Sequence, residues 1–572
     1  MLAFRNKKVL LAIFIIAFIT KNLSAQKKDS LNIQNYEDVA DYVIVGAGNA
    51  GAALAARLSS EGFSVIVLEG GINQDNNPLI FDPLAASSLV LNYTNEFFWM
   101  LGHAEVVPPL LSPPPQNDRR WPAVTGALFG GTSSVNGMQY VRGNSEFFNR
   151  WQVAAGGDPA WGVANATAVY KRLETFNGVP GQYTPAIHGT KGPVDVRQAS
   201  NDTAAATDFV NAVIALGLGY TDIKDFNDPN NAVGAFTYWQ LTQKPDKTRE
   251  SSSTAFLEPL RKISHTEYVS RNGNLRVISE ARVQRILIDA ESGEPVANGI
   301  LAVVNGVEKR YMAEREVILS AGFQSTLLLQ LSGIGDASRL RSLGIPVVYN
   351  NINVGIHAKN HPGFLLTGLG NVAGPISDPQ ALYTAGAFLS DPTRPDITRA
   401  YQLLGTATPG APGSFTINSV ILDPLSDGFV TLYNSDPNRM PFYNFRQYAN
   451  PADINSAIAL YGLAYNVLLN MGLVPQGPLP GNIPAVTTHV LTNPSTAIQN
   501  FHYQSANRMS TSPATGVVDP DGRVFGVCNL RVADVSIIPV NCLGGPQAPA
   551  YLVAEVISDK IINEAHTANN KK

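Results

Sequence analysis

Two kinds of hydrophobic pattern open this chain. "DYVIV" (Asp41 to Val45) and "SVIVLE" (Ser64 to Glu69) are apolar runs closed by polar residues, the pattern of strands buried on both faces. Between them, Ala50 to Ser60 carries Leu54 and Leu58 one helical turn apart, which predicts a helix. Strand, helix and strand together open a doubly wound sheet. From Leu275 to Leu319 the period shortens again: "LRVI", "RVQRILI", "GILAVV" and "EVILS" read as strands, with Asn305-Gly306 as a hairpin turn.

Other segments break or lengthen the pattern. The prolines of "LLSPPPQNDRRWP" exclude helix and central strand, so this stretch is expected to wrap the surface. Residues 363–450 mix Gly, Pro, Asp, Ser and Thr with short apolar runs, predicting an antiparallel sheet with long loops. Ile454 to Met471 reads as one helix with Ile454, Ile458, Tyr461, Tyr465 and Leu468 on one face and Asp453 as its cap. The closing "NEAHTANNKK" reads as a solvated end.

The N-terminus has its own logic. Basic "MLAFRNKK", apolar "VLLAIFIIAFIT" and small-residue "LSA" predict a secretory signal over Met1 to Ala25, the apolar run being shorter than the roughly 20 residues a membrane span needs. A secreted, extracellular or periplasmic chain is expected, with no membrane partner after cleavage. Asn92, Asn165 and Asn201 stand in acceptor sequences for N-glycosylation. A net charge of −4 gives no bulk attraction to nucleic acid. Two cysteines among 572 residues make no disulfide scaffold.

Chemistry enters with Gly46, Gly48 and Gly51, a GxGxxG motif between strand and helix. The first glycine permits a tight turn, the second admits a pyrophosphate, and the third lets helix and strand pack closely. Glu69, closing the second strand, is placed to accept from a ribose 2′-OH. The pattern implies an ADP-containing dinucleotide, with FAD and NAD both open. A second cluster, "GALFGGTSSVNGMQYVRG" (Gly126 to Gly143), offers a further backbone contact to the same ligand.

That second cluster resembles a signature of the glucose-methanol-choline (GMC) family of FAD-dependent oxidoreductases, matched at Gly130, Gly131, Thr132, Ser133, Ser134, Asn136 and Gly143. "LSAGFQSTLLLQLSGIG", "NVGIHAKNHP" and "GVVDPDGRVFGVCNLRVADVSIIP" resemble three further family segments, the last leaning toward the aryl-alcohol and glucose oxidase or dehydrogenase branch. The resemblance implies FAD, held by Gly46, Gly48, Gly51, Glu69, Gly130, Gly131, Ser133, Asn136, Gly137, Val283, Asp534 and Gln547. Some relatives attach the flavin through a histidine at the position of Val135 here, so non-covalent FAD is expected.

It also implies an α/β fold: a Rossmann-like FAD-binding domain, discontinuous over 38–75, 120–170, 270–345 and 500–565, and a substrate-binding domain built on an antiparallel sheet flanked by helices. The latter takes 76–119, 171–269 and 346–499, with 26–37 an N-terminal extension and 566–572 a tail.

In relatives a histidine lies over the flavin, and His502 in "NFHYQSANRMS" matches it, although Ser505 and Ala506 replace the usual Gly-Thr. Neutral imidazole suits the task of accepting a hydroxyl proton. A second His or Asn is usual upstream of the last helix; here "VNCLGGPQAPAYLVAE" puts Gly545 at that place, leaving Gln547 as the nearest polar substitute. His357 and His361 stand i, i+4, but Pro362 and a loop setting argue against a metal pair, and no metal is expected. The leading expectation is oxidation of a small alcohol's CH–OH group, with oxygen or a quinone-like acceptor reoxidising the flavin. A hydroxynitrile lyase on the same fold and a low-activity flavin-binding relative are the alternatives.

Overall fold

The computed structural model describes residues 38–85, 98–105, 120–200, 202–291, 293–373, 378–439, 441–493 and 495–569. The expected signal over Met1 to Ala25, the extension 26–37, and the acceptor sites Asn92 and Asn201 lie outside them.

The two opening apolar runs are neighbours in one sheet. Asp38–Val45 pairs in parallel with Val65–Leu68 on one side and with Val307–Leu319 on the other. Leu275–Ile278 and Leu530–Val532 extend this parallel centre outward. Val65 to Leu68 are all buried, as a strand covered on both faces requires. Asn305 and Gly306 both take left-handed φ (52° and 75°), the geometry that lets a two-residue turn follow the sheet's twist.

The complete nine-stranded sheet reaches Glu267–Ser270 and Leu260–Lys262 at its far edge. Those two strands come from the stretch expected in the substrate half, because the chain turns back on itself beside Leu275–Ile278 and satisfies its backbone there.

A second, seven-stranded sheet contains Pro362–Val372, Gly410–Ile421, Tyr401–Thr408, Ala385–Leu389 and Gly234–Phe236, all paired antiparallel. The helices Ala204–Ile214 and Pro451–Asn470 share a core with it. Tyr461, Tyr465 and Leu468 are buried there, while Ile454 and Ile458 are half-buried. The cap of the second helix is Asn450, not Asp453: its side chain accepts from Ala452 N at 3.0 Å, and Pro451, lacking an N–H, takes the first helical position. Asp453 faces inward and accepts from Leu425 N and Ser426 N.

A five-stranded sheet ends in Arg120–Gly126, so Pro122 sits in an edge strand, where a missing N–H is tolerated. The last helix, Gln547–Asn569, lies along Asn49–Ser60. It runs through part of the expected tail, with His566 to Ala568 exposed. No helix among the described residues is long and apolar enough to cross a membrane.

Candidate active site

The GxGxxG turn is built as its glycines predict. Gly46 has φ 99°, and a Cβ on Gly51 would lie 2.0 Å from Gly46 O, so turn and helix close up only without side chains. Helix Asn49–Ser60 starts at Gly48 with no side-chain cap, leaving its N-terminal N–H groups to a ligand. The second glycine cluster lies directly against the first: Gly130 N donates to Ala47 O at 2.9 Å, and a Cβ on Gly131 would stand 3.0 Å from Gly48 Cα. The two clusters therefore form one cradle that side chains would fill.

Glu69 lies on the rim of this cradle, its carboxylate accepting from Ala47 N (2.8 Å) and Gly71 N (2.9 Å). Burial raises its pKa, with these backbone donors pulling the other way. Val283 pairs with Ala302 in the strand Ala281–Asp289, whose first residue donates its N–H to Glu69 O. Asp534 accepts from Gly322 N and from the Ser325 hydroxyl, and burial pushes it up to about 6.

Asn136 bridges the second cluster to the last helix, its amide donating to Gln547 Oε1 at 2.9 Å. Gln547 in turn donates to Thr242 Oγ1 at 3.0 Å. With both ends of its amide held, Gln547 braces the second glycine cluster against Thr242. Gly137 lies beneath Tyr383, where a Cβ would stand 2.6 Å from the hydroxyl. The Ser133 hydroxyl turns inward, donating to Gly130 O and accepting from Ser252 N. These bonds fix the shape of the loop.

His502 and Gly545 meet as the sequence implies. An ideal Cβ on Gly545 lies 3.6 Å from His502 Nε2, so the empty side-chain position opens directly onto the imidazole. Burial holds His502 down to about 4, neutral at physiological pH. Its backbone N–H donates to Asn360 Oδ1 at 2.8 Å. The ring is delivered by the segment after Ala497–Gln499, a strand on the antiparallel sheet.

Three residues have roles that the sequence did not assign. His361 Nδ1 lies 2.8 Å from His502 Nδ1, and Gln504 Nε2 lies 3.2 Å from His361 Nε2. In the sequence His361 stands in the family-like segment "NVGIHAKNHP" and as half of a discounted metal pair, with no role at His502 assigned; no cluster of three or more potential metal ligands occurs among the described residues. Arg249 is the third. It donates to Ile80 O, Ser133 O and Asn136 O, and its buried Nη2 has no partner among the described residues. Burial pulls its guanidinium down to about 9, still a cation at neutral pH beside the cradle. A buried cation and a side-chain-free cradle suit an anionic dinucleotide.

Known proteins agree with this architecture. The N-terminal GMC oxidoreductase family matches residues 40–363 and its C-terminal counterpart residues 424–554. An oxygen-dependent choline dehydrogenase of Rhizobium rhizogenes is 30% identical, with 93% of this chain and 97% of the relative covered. An alcohol dehydrogenase [acceptor] of Pseudomonas putida is also 30% identical, covering 92% and 97%. Formate oxidase from Aspergillus oryzae superposes with a TM-score of 0.78 at 24% identity, over 93% of this chain and 99% of that one. The chain belongs to the GMC oxidoreductase family. Within it, the protein is an FAD-dependent oxidoreductase acting on alcohols.

Proposed function

We propose that this chain oxidises the CH–OH group of a small alcohol, with His502 taking the hydroxyl proton at Nε2. The observation that carries this reading is the opening at Gly545, which gives a substrate oxygen direct access to that nitrogen. When bound, FAD supplies the two-electron acceptor for the hydride on the alcohol carbon. The chain's own residues do the rest. The two glycine clusters, Glu69, Asn136 and Gln547 hold the dinucleotide, and the Asn360 contact fixes the backbone beneath His502. Val135, buried against Ile80 and Leu128, offers no atom for a covalent flavin bond, which supports non-covalent FAD.

A fungal aryl-alcohol oxidase shares the fold (TM-score 0.76, 20% identity, covering 93% of this chain and 100% of that one), in keeping with an aryl, sugar or other small alcohol substrate and oxygen or a quinone-like acceptor. The basic and apolar segments of Met1 to Ala25 support export, extracellular or periplasmic, with Asn92, Asn165 and Asn201 as glycosylation candidates. Asn165 uses its amide to hold Ala160 O, so it competes poorly for a glycan.

Anaerobic mixing with a panel of primary and secondary alcohols tests the chemistry. Bleaching of the oxidised flavin band is expected, slowed roughly 10²–10⁴-fold in H502A. A band unchanged by every alcohol defeats the proposal.

A further inference from the structure

The buried polar atoms behind His502 form a chain whose hydrogens can be placed by elimination. It begins at the backbone N–H of Cys542, which donates to the Gln504 side chain at 2.8 Å. A backbone N–H needs an oxygen, so Oε1 of Gln504 points at Cys542 and the NH₂ group points the other way. That group lies 3.2 Å from His361 Nε2 and 3.4 Å from His502 O. Were His361 protonated at Nε2, two donors would confront each other at 3.2 Å in a fully buried site.

His361 Nε2 is therefore the acceptor, and the proton of this neutral ring is on Nδ1. Nδ1 stands 2.8 Å from His502 Nδ1, which must accept in turn. The neutral His502 ring then carries its proton on Nε2, the nitrogen facing Gly545. Burial lowers the pKa of both rings, His361 well below the ordinary histidine value, so both stay neutral.

We propose that Gln504 is a positioning residue that, through His361, sets the resting tautomer of His502 with Nε2–H toward the substrate space. This inference deepens the oxidation reading and rests on it for its kinetic consequence. An Nε2 that already bears a proton cannot take another from the neutral ring. Turnover must begin with the opposite tautomer: one proton leaves His502 Nε2, the bridging proton crosses from His361 Nδ1 to His502 Nδ1, and one proton joins His361 Nε2. Backbone groups of Cys542 and Leu422 bond the His361 ring and pull its pKa up against burial. Gln504 weighs against the shift. It thereby reduces the competent fraction of enzyme, and kcat/KM falls by that fraction.

The assignment is read without turnover. Histidine-selective ¹⁵N labelling of the FAD-loaded protein distinguishes a protonated from a bare ring nitrogen by chemical shift, and H502N identifies the signals. The expected spectrum shows His502 with Nε2–H and bare Nδ1. A spectrum with Nδ1–H and bare Nε2 overturns the proposal, whatever the turnover.

Gln504→Glu keeps an oxygen for Cys542 N–H and places a second oxygen toward His361. It should reverse the His502 pattern and raise the rate of flavin reduction by an alcohol at least tenfold. Gln504→Met, which removes the donor without adding charge, should shift the pattern in the same direction and guards against a folding failure of the glutamate variant. Reversal in neither variant refutes the role of Gln504. A wild-type spectrum as expected, with no alcohol able to reduce the flavin, keeps the tautomer and rejects only the oxidation reading.

Discussion

Residue-scale chemistry here turns on one missing side chain. Gly545 is the position where relatives usually place a second His or Asn, and the 3.6 Å between its ideal Cβ and His502 Nε2 is ordinary contact, leaving room for a side chain. Gly545→His should therefore fold and supply a second polar group to the reacting oxygen. Such a hydrogen bond is worth about 10²-fold in the rate of flavin reduction, measured anaerobically by stopped flow.

The histidines also make an acid-sensitivity prediction. His502 is held at about 4, below its ordinary 6.5, so the unfolded chain binds this proton first as the pH falls. Folding stability then rises with pH between about 4 and 6.5, and His361 adds to the same slope. One buried ring contributes at most about 3 kcal/mol over that window. Denaturant unfolding at pH 7 and 4.5 should show the loss, and H502N should flatten it.

The motif residues were legible because their chemistry is local: a glycine turn, an acid closing a strand, a histidine in a familiar segment. The roles of Gln504, His361 and Arg249 were not, since each acts on a partner brought to it by the fold. Arg249 and Ser133 are 116 residues apart.

At the scale of elements, the opening strand, turn and helix depend on the absence of atoms. A Cβ on Gly51 would overlap Gly46 O at 2.0 Å, and backbone cannot swing aside as a flexible side chain can. Gly51→Val should destabilise the protein by about 3 kcal/mol and release FAD, followed by the unfolding midpoint and by flavin absorbance after gel filtration. Ser505 shows the converse economy. It takes φ 72° where relatives carry glycine, and its N–H reaches Val535 O, so the turn is kept at some backbone strain.

The periodic strands and the long helix were readable because burial repeats at two or 3.6 residues. Boundaries were less so: Asp453 looks like a cap in sequence, yet Pro451 starts the helix earlier and leaves Asn450 to cap it. Membership of Leu260–Lys262 and Glu267–Ser270 in the first sheet follows from pairing with Leu275–Ile278, and pairing leaves little trace in composition.

Across the whole molecule, the first helix and the last are fastened together. Arg57 reaches Glu555 and Asp559, each at 2.8 Å, and Arg172 reaches the same two carboxylates. Glu555 is almost fully buried, whereas both arginines keep some access to water, which moderates the cost of losing it. Glu555→Ala should lower stability by about 1–3 kcal/mol, seen as a lower urea midpoint at unchanged slope. A parallel-centred sheet followed by an antiparallel one was legible from the succession of patterns, but this clasp joins charges 498 residues apart and no spacing rule announces it.

The same clasp has a consequence for biosynthesis. Leu530–Val532 completes the inner edge of the nucleotide sheet, and Gln547 braces the cradle from the opposite end of the chain. Gln547 leaves the ribosome 411 residues after Asn136, the residue it braces. The early glycine turn therefore waits for a distant segment before its cradle is whole.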